Sequence, residues 1–246
     1  MVRPAAVSAA MGPPSRALHG PLPVLLSLLA GYVDTASFLA LHGLFTAHVT
    51  GNFVTLGAAL VTGHSGVLAK LLALPVFCLV IFALRVAARL LGERRQPGLR
   101  GLLALQALLL VAGTVLVLRL APGHDGDAAA EVVAGMVLVA AMALQNTASR
   151  VHLAAAPPTT MMTGTTTQVM IDLADLYGAP LPAEQRAAAV DRLARMGANL
   201  GGFAVGCGAA ALLFHFVGNA CFAVAPLLTL AALPLTSPAV EAPGHP

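Results

Sequence analysis

Asp34-Thr35-Ala36-Ser37 is followed, sixteen residues after the aspartate, by Thr50-Gly51-Asn52. Asn146-Thr147-Ala148-Ser149 is followed, seventeen residues after the asparagine, by Thr163-Gly164-Thr165. The two phrases lie 112 residues apart, both in strongly apolar surroundings. Membrane proteins with internal repeats commonly place their working site where the copies meet. The repetition therefore predicts an architecture and a place to look.

The apolar setting extends over most of the chain. Of its 246 residues, 58% are hydrophobic and 9% charged, and the mean hydropathy is +0.87. A soluble domain carries roughly 25% charged residues, so a soluble fold of this length would lack the polar surface to cover itself. A multi-pass membrane protein, with the lipid bilayer as its partner, is the class that fits. The net charge of +3 comes from short basic clusters beside apolar runs. Such clusters orient spans and do not form a nucleic-acid surface. Cys78, Cys207 and Cys221 all fall in apolar stretches without a CxxC pair, so they are expected to be small packing residues.

A helix needs about 20 apolar residues to cross the bilayer core. Six stretches meet or approach this, about 22–41, 67–91, 101–120, 130–153, 195–215 and 217–237. Two shorter ones, about 44–62 and 159–176, each carry a Thr-Gly motif near their start. If both short stretches crossed, the loop with Arg94, Arg95 and Arg100 would face outward, against the positive-inside rule. If both re-enter, that loop faces inward with Arg186, Arg192 and Arg195, while Asp125, Asp127 and Glu131 face outward. We therefore expect an all-α polytopic protein with six full spans and two short broken or re-entrant segments. Its repeats, about 22–120 and 130–237, are then inverted relative to each other. Both termini are cytoplasmic in this reading, and residues 1–20 and 238–246 form tails around a single transmembrane domain, 21–237. Arg3 and Arg16 ahead of Leu22–Ala30 also resemble a signal peptide, but the apolar run continues into the first motif.

Gly31–Phe38 and Phe45–Gly57 resemble the signature of the YoaK-like family of bacterial multi-pass membrane proteins. Ala143–Arg150 and Met162–Thr165 are similar to that family's second-half motif, and the resemblance extends over about 22–237. It implies a bacterial plasma-membrane location. The family is named as a domain of unknown function, so it supplies no substrate, cofactor or catalytic residue.

Asp34 is the first candidate site residue, because a carboxylate inside a span costs about 2.5–3.5 kcal/mol on insertion scales and must find a partner or water. It is read either as an ion-coupling group or as a structural anchor, with Arg150, one turn beyond Asn146, as its expected partner. Thr50, Gly51, Asn52, Thr163, Gly164 and Thr165 are expected to open half-helices whose N–H groups point to the midplane. Their bland reading is capping and close packing. His42, His48 and His64 are too irregularly spaced for a tight metal site, so neither a metal nor a cofactor is expected. Asp172 and Asp175, near an interface, need no special role. Gly197, Gly201 and Gly206 permit close helix packing, within the monomer by default or across a homodimer face.

No H-E-x-x-H, G-x-S-x-G or P-loop motif is present. The expected function is secondary transport or channelling of a small polar or anionic solute. A scaffolding protein is the alternative, followed by a membrane enzyme using Asp34 or a histidine.

Overall fold

A computed structural model describes residues 20–92, 97–120, 126–160, 162–178 and 181–236. The terminal tails expected for 1–20 and 238–246 fall outside these residues, apart from Gly20, as do Arg94, Arg95 and Asp125. Hydrocarbon offers no partner for backbone N–H and C=O groups, so a chain this apolar satisfies them within helices. Among the described residues the regular structure is helical throughout. The helices are α1 (Leu22–Ala40), α2 (Gly51–Thr62), α3 (Val67–Leu91) and α4 (Leu99–Leu120). There follow α5 (Ala129–His152), α6 (Met162–Gly178), α7 (Ala183–Val217) and α8 (Val224–Ala232).

Side-chain contacts fix the directions. Gln145, late in α5, donates from Nε2 to the Leu26 carbonyl, early in α1, at 2.8 Å. At the other end Leu44, just beyond α1, lies against Gly135 near the start of α5. The two helices therefore run antiparallel. α1 and α7 run parallel, with Gly202 facing Val24 and Gly206 facing Leu28 and Tyr32. α3 and α5 begin together, since Asp127 just before α5 accepts from the Gly66 and Leu68 amides at 3.1 and 2.8 Å. α1 packs on α7 as α5 packs on α3, α2 on α3 as α6 on α7, and α4 on α5 as α8 on α1. α1 and α5 are the most enclosed of the long helices, and α3 faces mostly outward.

Among the described residues, five helical segments are long and apolar enough to cross a membrane, the last being Ala183–Leu235 taken as one. That last segment is two legs. The chain leaves α7 at Gly218, whose φ of +57° suits glycine, and turns back through a 3-10 segment, Gly218–Ala223. Tyr32 Oη donates to the Cys221 carbonyl at 2.8 Å, and Thr114 Oγ1 to that of Phe222 at 3.1 Å. Ala232, Leu233 and Leu235 then reach a cluster with Leu22, Leu26, Leu99 and Leu103 at the opposite end. The described residues thus make six long passes, the number that the hydropathy pattern predicts.

α7 departs from its expected start. It begins at Ala183 and runs 35 residues, about 52 Å at 1.5 Å per residue, well beyond a hydrocarbon core of about 30 Å. Its polar first half is a good helix former that hydropathy alone passes over, and it pairs with α6. There Asp172, 1% exposed, accepts from Arg192 Nε at 2.7 Å and Nη2 at 2.6 Å, and from Gln168 Nε2 at 2.9 Å. The expectation that Asp172 has no special role is corrected: it clamps α6 to α7. The Arg192 hydrogen bond holds its carboxyl below the ordinary value of 3.8.

Two predictions follow from the packing. A Cβ on Gly206 would stand 2.0 Å from the Leu28 carbonyl oxygen, whereas one on Gly201 meets nothing within 4 Å. Gly206→Ala should therefore destabilise the protein by about 1–3 kcal/mol and Gly201→Ala should be near neutral, as read from thermal unfolding in detergent. A depressed carboxyl stabilises above its unfolded pKa and loses that contribution as pH falls through the folded value. Proteolysis of the α6–α7 hairpin should thus be slow at neutral pH and accelerate below about pH 4, and Asp172→Asn should remove that acid step.

Candidate functional site

α1 ends at Ala40, and the chain does not continue outward. Residues 41–50 fold back along α1 to Asp34, which is 3% exposed. Asp34 Oδ1 accepts from the Thr46 amide at 2.8 Å, the Ala47 amide at 2.6 Å and Thr46 Oγ1 at 3.2 Å. Oδ2 accepts from the His48 amide at 3.1 Å and pairs with His48 Nδ1 at 2.6 Å. A carboxylate that accepts this many hydrogen bonds is stable without bulk water, and the loop amides are satisfied in turn. The contact answers both desolvation problems at once.

Asn52 completes the loop. Its Oδ1 accepts from the Phe45 amide at 2.9 Å and its Nδ2 donates to the Phe45 carbonyl at 2.8 Å. Gly51 leaves room for the Phe45 ring, which would lie 3.0 Å from a Cβ. Thr50 is exposed and its side chain caps nothing. The amides of Gly51, Asn52 and Phe53 donate to the carbonyls of His48, Val49 and Thr50 at 2.8, 3.2 and 3.2 Å. Contrary to the half-helix expectation, the N–H groups that open α2 are engaged by their own loop.

The second phrase forms a related contact at the opposite end. Asn146 stands six residues before the end of α5, as Asp34 stands six before the end of α1. Asn146 Oδ1 accepts from Thr160 Oγ1 at 2.8 Å, and its Nδ2 donates to the Met142 carbonyl at 3.1 Å. The hydroxyls of Ser149 and Thr159 share a hydrogen bond at 3.1 Å. Asn146, Ser149, Arg150, Thr159 and Thr160 line a hollow of about 160 Å³. Beyond it, Thr165 is buried, while Thr163 and Gly164 are exposed, Thr163 on an open outer groove of α6.

The expected Asp34–Arg150 pair is replaced by the loop contacts, because α1 and α5 are antiparallel and their late turns lie at opposite ends. Of the other histidines, His42 approaches Ser65 Oγ at 3.1 Å and Glu131 Oε2 at 3.2 Å, and His64 pairs with Thr62. Gly206 is taken up by the α1–α7 contact, the packing within the monomer expected for it by default, while Gly197 and Gly201 have open space.

Both loops touch α7. The His48 ring stacks edge-on against Phe203 with centroids 5.2 Å apart. Asn199 Nδ2 donates to the Pro157 carbonyl at 3.2 Å. Positions 199 and 203 are one turn apart on the same helix face. Sequence reasoning did not select Thr46 or Phe203, and it weighed His48 only with His42 and His64 as a metal cluster. The signal for Thr46 and His48 is a threonine and a histidine in an apolar loop just downstream of a buried carboxylate that needs donors.

Helices of this length and hydropathy, with polar loops tucked against them, define an integral membrane protein of the polytopic helical class. Residues 22–235 match the family described as "Protein of unknown function (DUF1275)", and the chain belongs to it. No curated protein and no solved structure matches the chain.

The Asp34 contact makes a direct prediction. Asp34→Ala leaves the Thr46, Ala47 and His48 amides without their acceptor, at about 1–3 kcal/mol for each unsatisfied group. Asp34→Asn keeps Oδ1 but sets an NH2 group against the His48 amide. With the native cysteines replaced and a single Ala47→Cys probe, maleimide labelling should be fastest in Asp34→Ala and slowest with Asp34 intact. Equal rates in all three would contradict the latch.

Proposed function

We propose that this chain is a secondary transporter or channel for a small polar or anionic solute in a bacterial plasma membrane, built as an inverted duplication with both termini cytoplasmic. The observation that carries this reading is the convergence of two loops, hung from opposite ends of antiparallel helices, on positions 199 and 203 of α7. Inverted-repeat transporters build solute paths where interrupted segments from the two halves approach each other. Non-helical backbone at membrane depth is tolerated where it is buried in protein or lines a water-filled cavity. The paired helix packings and the matched positions of Asp34 and Asn146 support descent of the halves from one unit. In this reading the residues act by binding and gating, not by covalent chemistry.

The test is permeability. Vesicles carrying the purified chain would be mixed with hyperosmotic acetate, glycine, glycerol or urea and followed by stopped-flow light scattering. At least one solute should enter faster than into empty vesicles, with saturation, and Asn199→Trp should suppress the excess while the protein stays folded. If all four solutes enter at the rate of empty vesicles, the transport reading fails and a scaffolding role takes its place.

A further inference from the structure

We propose that Ser65 and His42 form a nucleophile–base pair, oriented by Glu131, through which the chain transfers the acyl group of a carboxylic ester to water. The pair lies where the end of α1, the α2–α3 connection and the first turn of α5 meet. This activity goes beyond the proposed transport and does not depend on it.

Ser65 Oγ lies 3.1 Å from His42 Nδ1, and His42 Nε2 lies 3.2 Å from Glu131 Oε2. A serine hydroxyl is a weak nucleophile until an adjacent base takes its proton. Glu131 is buried, and its negative charge favours the imidazole tautomer that carries its proton on Nε2. Nδ1 is then the bare nitrogen, and the hydrogen bond there runs from the Ser65 hydroxyl. Each partner thus faces the nitrogen that its role requires.

The surroundings hold this arrangement. His42 is the one non-glycine residue with positive φ among the described residues, at +52°. Backbone in such a sparsely populated region persists where neighbours over-determine it, and it clusters at functional sites. Gly126 backs the imidazole closely, since a Cβ on it would stand 2.5 Å from His42 Cδ2. Asp127 accepts from the Gly66 and Leu68 amides and so fixes the loop that carries Ser65. Lys70 Nζ donates to the Ser65 carbonyl at 3.2 Å. A cation beside the nucleophile favours the oxyanion that develops when an ester carbonyl is attacked. The pair is also reachable, because Ser65 is half-buried and the His42 side chain is 28% exposed. Phe38 and the Lys70 stem both come within 4 Å of a Cβ placed on Gly43, next to His42. The Phe38 ring is exposed and offers an apolar flank to an acyl chain.

In the reaction, Ser65 Oγ bonds to the ester carbonyl carbon as its proton passes to His42 Nδ1. The bond from that carbon to the alcohol oxygen then breaks, and the departing oxygen takes the proton. Water attacks the acyl-serine in the same way, giving a proton to His42. Ser65 recovers that proton as the carboxylic acid leaves.

A fluorophosphonate probe, which bonds to an activated serine with loss of fluoride, should label the full-length protein in nonionic detergent. Mass spectrometry should place the adduct on Ser65. The protein should also hydrolyse p-nitrophenyl butyrate, with Ser65→Ala and His42→Asn each lowering kcat about a hundredfold or more. Glu131 is a positioning residue, so Glu131→Gln should lower kcat roughly tenfold or more at unchanged KM, and Glu131→Asp should restore part of the rate. Fatty acid released from phosphatidylcholine vesicles that carry the protein would assign the substrate to a lipid ester, and hydrolysis of the soluble ester alone to a small one. Labelling or turnover that survives Ser65→Ala, or a parent protein that neither labels nor hydrolyses either ester, overturns the inference. Hydrolysis without solute flux would reject transport and leave this site standing, and flux without hydrolysis would do the reverse.

Discussion

The fold depends on a buried carboxylate that behaves as part of the backbone of its neighbouring loop. A chain that turns back inside a bilayer exposes amide groups that neither lipid nor helix can satisfy. In residues 41–50 those of Thr46, Ala47 and His48 point at Asp34, and Asn52 answers both backbone groups of Phe45. Two side chains thus replace the hydrogen bonds a regular element would provide. Once the loop is held, α2 begins at the depth of Asp34 and leads outward to α3, so the whole first half takes its course from this contact.

The two ends of the molecule solve the same problem differently. At the Asp34 end the anchor is charged and filled with donors. At the Asn146 end it is neutral, bonded to Thr160 and to its own helix, and a hollow remains beside it. If the halves share an origin, this single exchange of carboxylate for amide is where their roles diverge.

Much of the architecture was legible because hydropathy reports what a bilayer selects. The six passes and the two short segments fall close to the predicted stretches, and loop charge favoured antiparallel halves. The pairing of Asp34 with Arg150 failed because α1 and α5 run antiparallel, so late turns of the two helices lie at opposite ends and cannot touch. The start of α7 was missed because a polar helical stretch has no hydropathy signal, although Arg192 belongs to it and Asp172, on α6, is clamped to it. The donors to Asp34 were missed because backbone amides leave no trace in a motif. His48 was weighed only as one of three histidines, not as a partner fourteen positions beyond a buried acid.

The small residues of α7 connect these local solutions. Gly202 and Gly206 bring α1 so close that a methyl group at 206 would strike the Leu28 carbonyl. Because Asp34 ties His48 to α1, the same approach sets His48 against Phe203. Asn199, one turn earlier on that face, then meets the loop of the second half at Pro157. The glycine pattern therefore does more than permit packing. It sets the distance from α1 at which the first loop, riding on Asp34, can reach the helix face that the second loop also reaches. A bulky residue at 206 would push away the helix and the loop together, so the convergence at 199 and 203 is a consequence of backbone proximity more than of any affinity between the loops.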